Sequence, residues 1–212
     1  LMLEYVTLID IKDIFKIHSR NRMIINSKTE KIARLVPSLA SDLLVALSGT
    51  LVLGMAAQLE LRLPFTPVPV TAQTFVVMLI GAFLGPNRGV LAIFLYLSSG
   101  VFGFPVFSGF GSGLHHILGP PGGYIIGFIG GAYVAGTFIS PWVKQSFLYS
   151  FLIMLLSCST IYVIGGLWLG FYLGFNNVLE LGVLPFISGD IVKSAAAAVF
   201  FTGIQKFGKY QS

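Results

Sequence analysis

Val70–Gly89 reads VTAQTFVVMLIGAFLGPNRG. From Phe75 to Leu84 it carries no charged or hydrogen-bonding side chain, and it closes abruptly in Gly-Pro-Asn-Arg-Gly. Apolar runs of about 17–25 residues are what a bilayer core selects. Pro86 cannot continue a helix, and Gly85 and Gly89 supply backbone freedom around it. The stretch therefore predicts a membrane helix, a tight turn marked by Arg88, and a second membrane helix. Thr71, Gln73 and Thr74 fall at the opposite end, after the connector PFTPVPV, whose prolines stiffen an extended entry. They either cap the helix start or turn Gln73 toward a cavity.

Working outward, the same pattern holds for most of the chain. Of 212 residues, 55% are hydrophobic and only 10% charged, and the mean hydropathy is +0.88. A soluble domain of this length would need a larger charged shell. Residues 1–37 hold seven of the thirteen Lys and Arg, so the expected division is a basic tail, 1–37, and a membrane domain, 38–212. Such a charged tail ahead of the first apolar run does not read as a secretory signal. The net charge of +5 comes from residues flanking apolar segments, which argues against nucleic-acid binding.

Six spans are expected, near Leu39–Leu59, Val68–Gly85, Gly89–Phe104, Gly122–Ile139, Ser146–Phe175 and Leu184–Gln205, with five as the alternative count. The fifth is long enough to tilt, or to break after Gly165-Gly166. No β-barrel alternation is present, so the class is an all-α integral membrane protein. With six helices both termini share a side with Arg88, Lys144, Lys206 and Lys209, which the positive-inside rule makes cytoplasmic.

The strongest chemical signal is SGDIVKSAAAAVF in the last span. Asp190 and Lys193 stand three apart, on one helix face, and ionisable residues at membrane depth default to function. The plainer readings are a structural ion pair, or Asp190 capping a helix after Gly189. Between the third and fourth spans, YLSSGVFGFPVFSGFGSGLHHILGPPGGYIIGF has no acidic or basic residue apart from its two histidines and many turn formers, as expected of a loop folded over a cavity. Tyr96, Phe104, Phe107 and Tyr124 would wall and lid it, with Ser108 and Ser112 as polar contacts, unless the aromatic residues form an interface belt. In the first span, Asp42, Ala46, Thr50 and Gly54 recur every four residues, with Gly49 beside them. This small-residue stripe suits close helix approach, within the chain or to a partner subunit. His115-His116 lacks the companions a zinc site requires, and the lone Cys158 reads as a buried, inert thiol. No nucleophile set, P-loop or dinucleotide motif occurs, so neither an enzyme nor an ATP-binding chain is expected, and no cofactor is implied.

PVPVTAQTFVVMLIGAFLGPNRG, YLSSGVFGFPVFSG, GPPGGYIIGF and SGDIVK, in that order, closely resemble the BioY family over about residues 40–206. These are the substrate-capture (S) components of energy-coupling factor (ECF) biotin transporters. The resemblance implies six transmembrane helices, with the glycine- and aromatic-rich loop lying outside over a ligand pocket. It also implies capture of biotin from outside the plasma membrane, and uptake driven by a transmembrane coupling subunit and two ATPase subunits. Asp190 and Lys193 match the family's polar ligand contacts, and Tyr96, Gln73 and Tyr124 match motif positions near the pocket. Ala46, Thr50 and Gly54 occupy the place of the partner-docking face, and His115-His116 lies outside the pattern. Biotin's apolar fused rings, ureido group and carboxylate suit an enclosed pocket with few polar groups. The rivals are an S component for another vitamin and a stand-alone secondary transporter, although the latter usually shows internal repeats and several intramembrane acidic residues, of which Asp190 is the only convincing one here.

Overall fold

The computed structural model describes residues 39–139 and 146–207. The basic tail, Lys144 and Lys209 lie outside the described residues. All packing discussed below falls within the compact unit 43–212. Among the described residues four helices are long and apolar enough to cross a membrane: α1 (Leu39–Ala57), α2 (Gln73–Val101), α5 (Phe147–Leu173) and the run Phe175–Lys206. That last run comprises α6 (Phe175–Val178), a π-helical turn (Leu179–Val183) and α7 (Leu184–Phe207). A shorter α3 (Leu114–Leu118) and an apolar α4 (Gly122–Phe138) are the other α-helices among the described residues. Two short strands, β1 (Glu60–Leu61) and β2 (Val70–Thr71), pair antiparallel after α1.

The decisive stretch folds as its residues dictate. Gly85 takes φ 77°, ψ 176°, outside the helical region, with Pro86 directly after it. In a straight helix Gln73 and Tyr96 would stand about 35 Å apart at 1.5 Å per residue. Instead the Gln73 amide donates to the Tyr96 hydroxyl at 2.8 Å, so the two arms of α2 lie antiparallel. Counting those arms separately, and the run from Phe175 as one, gives six apolar helical segments, as expected.

Small residues set the helix spacing. A Cβ on Gly81 would stand 2.4 Å from the Ala132 carbonyl oxygen, and one on Gly123 would stand 2.1 Å from Trp168 Cβ. Helices without side chains at the crossing approach to backbone contact, the packing that membrane bundles favour. α5 runs unbroken through Gly165-Gly166, so the break considered there does not occur. Gly165 instead makes room for the Tyr124 ring, which lies 2.4 Å from where its Cβ would sit.

The stripe on α1 also faces inward. Ala46 is wholly buried, and the Thr50 hydroxyl donates to the Ala92 carbonyl on the second arm of α2 at 2.8 Å. Gly54 is buried, with Val106 3.6 Å from where a Cβ would lie. Ala46, Thr50 and Gly54, expected to form a partner-docking face, are covered by their own chain. Thr50 meets α2, and Gly54 meets Val106 in the loop that follows it.

The π-helical turn has a local cause. Pro185 lacks the N–H that would reach the Leu181 carbonyl four residues back. The Thr66 hydroxyl takes that carbonyl at 2.6 Å, and the Tyr124 hydroxyl takes the next one, Gly182, at 2.8 Å. Orphaned carbonyls in a bilayer are costly. The two bonds tie the 62–69 connector and α4 to the π-helical turn that leads into α7.

Candidate functional site

α7 begins at Leu184, so Asp190 lies inside it and is not its N-cap. Its carboxylate is 4% exposed and collects donors from three elements. Oδ1 accepts from Lys193 Nζ at 2.7 Å and from the Thr74 hydroxyl at 2.9 Å. Oδ2 accepts from the Tyr162 hydroxyl and from the Cys158 thiol at 3.4 Å. Lys193 also donates to the Thr71 carbonyl at 2.7 Å and to Thr74 Oγ1 at 3.2 Å. The ammonium's three hydrogens therefore match three acceptors. A buried charge pair offsets its desolvation only when its remaining lone pairs and protons are satisfied, and here they are.

The pair borders a cavity of about 50 Å³, room for a few water molecules. Val68, Pro69 and Thr71 of the connector form one wall, and Gln73 and Thr74 at the start of α2 form another. Tyr124, Ile125 and Phe128 of α4 face Tyr162 of α5 and Phe186 of α7 across it. The lining is apolar apart from one anion, one cation and a few hydroxyl and amide groups. Such a site binds a small, mostly apolar molecule through a few directed hydrogen bonds.

Of the expected site residues, Asp190, Lys193, Gln73, Tyr124 and Ser108 line this cavity. Tyr96 and Phe107 do not. Both are fully buried one layer behind Gln73, with ring centroids 5.4 Å apart. Gly100 receives the Phe107 ring, whose nearest atom lies 2.0 Å from where a Cβ would be. Phe107 is thus a pillar under the loop rather than its lid, and Phe104, 63% exposed, faces outward. The helix start at Gln73 has no side-chain cap on its N-cap residue, Ala72; the Thr71 hydroxyl, still in β2, accepts from Gln73 N at 3.3 Å.

Sequence reasoning missed Tyr162 and Cys158. They stand four apart on α5, one face of the helix, and both aim at Asp190. Two hydrogen-bonding side chains at that spacing on a membrane helix were a usable signal. Cys158 is buried, as expected, and is engaged with the carboxylate.

The loop over this end is held from beneath. Phe107 and Gly111 pair as an isolated bridge. The Gln58 amide donates to the Phe107 carbonyl at 3.1 Å and its oxygen accepts from Phe110 N at 2.9 Å. His116 stacks on Phe107 at 4.9 Å. Burial holds its pKa below the ordinary value, with a further push from His115. Among the described residues no three His, Cys, Asp or Glu converge as metal ligands.

The fold defines a multi-pass helical membrane protein. A crystal structure of the S-component for biotin from an ECF-type ABC transporter is similar at a TM-score of 0.71, with 26% identity, covering 80% of this chain and 93% of that one. The BioY family model matches residues 26–210. A probable biotin transporter BioY of Pyrococcus horikoshii is 44% identical over 69% of this chain and 86% of its own length. The biotin transporter BioY of Thermotoga maritima is 35% identical over 69% of this chain and 86% of its own length. The chain belongs to the BioY family, a family of transporter components.

Proposed function

We propose that this protein captures biotin for uptake across the plasma membrane, as the S component of an ECF-type transporter. The observation that carries the reading is the fully hydrogen-bonded Asp190–Lys193 pair lining an otherwise apolar cavity in a BioY-family chain. Biotin's ureido group offers two donors and one acceptor, and its rings suit the apolar walls. Asp190, Lys193 and Gln73 would contact it directly and Tyr124 would pack against it. Tyr96 and Phe107 would hold Gln73 and the loop from behind. The present volume is too small for the fused rings, so binding has to part the connector 66–70 and the loop 105–120 from the helices. That loop lies outside, and both termini lie in the cytoplasm, where a coupling subunit and two ATPases supply the energy.

A panel of vitamins titrated calorimetrically into the purified chain tests the ligand. Biotin alone is expected to bind at nanomolar strength, about −12 kcal/mol; preference for another vitamin overturns the assignment. Reporter fusions at Ser212 and near Gly109 are expected on opposite sides of the membrane. Fusions on the same side reject the orientation.

A further inference from the structure

Asp190 and Tyr162 also border a second recess, on the outward side of α5 and α7. It holds about 550 Å³ between Leu155, Cys158, Ser159 and Tyr162 on one helix and Ile187 and Ile191 on the other. A further recess of about 350 Å³ continues it past Gly166 and Leu167 toward Val178. The two share Tyr162, Val163 and Val183, and together form one groove along α5. From Leu155 to Leu167 the groove runs about 18 Å at 1.5 Å per residue. One leaflet of the hydrocarbon core is about 15 Å deep.

The walls face the bilayer, with Val163 61% and Leu167 58% exposed. The polar groups at the floor already have partners. The Ser159 hydroxyl donates to the Leu155 carbonyl at 2.9 Å, and Tyr162 and Cys158 both donate to Asp190. What remains is an apolar trough open to lipid, and a head group would find no free partner in it. A helix about 10 Å across laid along the same length would displace roughly 1,400 Å³, more than both recesses hold.

We propose that this groove binds one acyl chain of a bilayer lipid, seated against the back of the Asp190–Tyr162 wall. The chain keeps water from reaching the carboxylate from the membrane side and limits outward movement of the Tyr162 ring. Occupancy of the groove does not depend on which ligand the inner cavity takes; only the effect on affinity rests on the biotin reading.

The test places the photoreactive residue benzoylphenylalanine at Ile187, and separately at the lipid-facing Phe94. The full chain is held in nanodiscs of palmitoyl-oleoyl phosphatidylcholine. Lipid adducts read by mass spectrometry are expected at least threefold more often at Ile187. Filling the groove by Val163→Trp should remove that excess and leave Phe94 unchanged, and Leu155→Trp serves if the first variant fails to fold. Equal yields at the two sites, or an excess that survives filling, overturn the proposal. So do protein–protein adducts at Ile187 in place of lipid, which would assign the groove to a second copy. Delipidation in detergent is expected to weaken biotin binding at least fivefold in the parent, and an unchanged affinity rejects the backing role. A parent that never binds biotin, yet gives the lipid adducts, would sink only the ligand assignment.

Discussion

Asp190 and Tyr162 stand between two recesses of opposite character. On the inner side the space is about 50 Å³, and Lys193 and Thr74 meet the carboxylate there. On the outer side the recess that borders Asp190 is about 550 Å³ and its polar floor is already engaged. The difference shows how a membrane protein keeps a charge at depth. The ion pair is stable only where every donor and acceptor is matched, so its surroundings are tight and specific. The apolar face carries no such demand, and it stays open because lipid tails solvate it as well as protein would.

The sharpest way to break the contrast is to remove the charge that the inner side is built around. Asp190→Ala leaves the half-buried Lys193 without its anion, and one-sided loss of a fully buried pair costs about 3–5 kcal/mol, which sets the upper end here. Biotin affinity should fall at least a hundredfold by calorimetry, and Lys193→Met should do the same. The double variant is expected to fold again, since both charges are gone, and still fail to bind. Near-parental affinity in the double variant would show that the pair never meets the ligand.

Tyr162→Phe tests the wall itself. It deletes one hydrogen bond to a charged acceptor, about 1.5–3 kcal/mol, while keeping the ring that both recesses share. Thermal stability should drop by that amount and biotin binding should weaken about tenfold, with the groove's lipid adducts unchanged. Equal loss of both readouts would mean that the ring has moved and the wall is one packed unit.

Thr66→Val is a milder change, in the connector next to the inner cavity's wall. It removes the donor to the Leu181 carbonyl freed by Pro185 and should lower stability by about 1 kcal/mol. No change in the melting temperature would show that the π-helical turn needs no outside donor.

The smallest effect is expected from pH, because His116 supports the loop from outside the ion-pair shell. Its folded pKa is lowered, so the folded state binds its proton less readily than the unfolded chain. The loop's stability is complete above the unfolded value, about 6.5, and is lost as pH falls from there through the lowered value. Melting curves at successive pH values should show this loss for the parent and a smaller one for His116→Phe. An identical pH dependence in the two proteins would remove His116 from the account.

Much of this architecture followed from local chemistry. The uncharged run Phe75–Leu84 committed the chain to the bilayer, since no water is available there to solvate anything else. Gly85-Pro86 committed it to a hairpin, because the proline removes a donor from the ladder just where the glycine leaves the helical region. Asp190 and Lys193 shared a face by helical period alone. Tertiary structure decided what each face met. Cys158 and Tyr162 lie 32 and 28 residues from Asp190, and no local period relates α5 to α7. The stripe of Ala46, Thr50 and Gly54 announced a close contact, but small side chains specify how near a neighbour comes and not which neighbour it is. Phe107 and Tyr96 read as cavity walls because aromatic rings suit walls and pillars alike. Only the packing around Gly100 and Gln73 placed them one layer back, where their bulk supports the site without facing it.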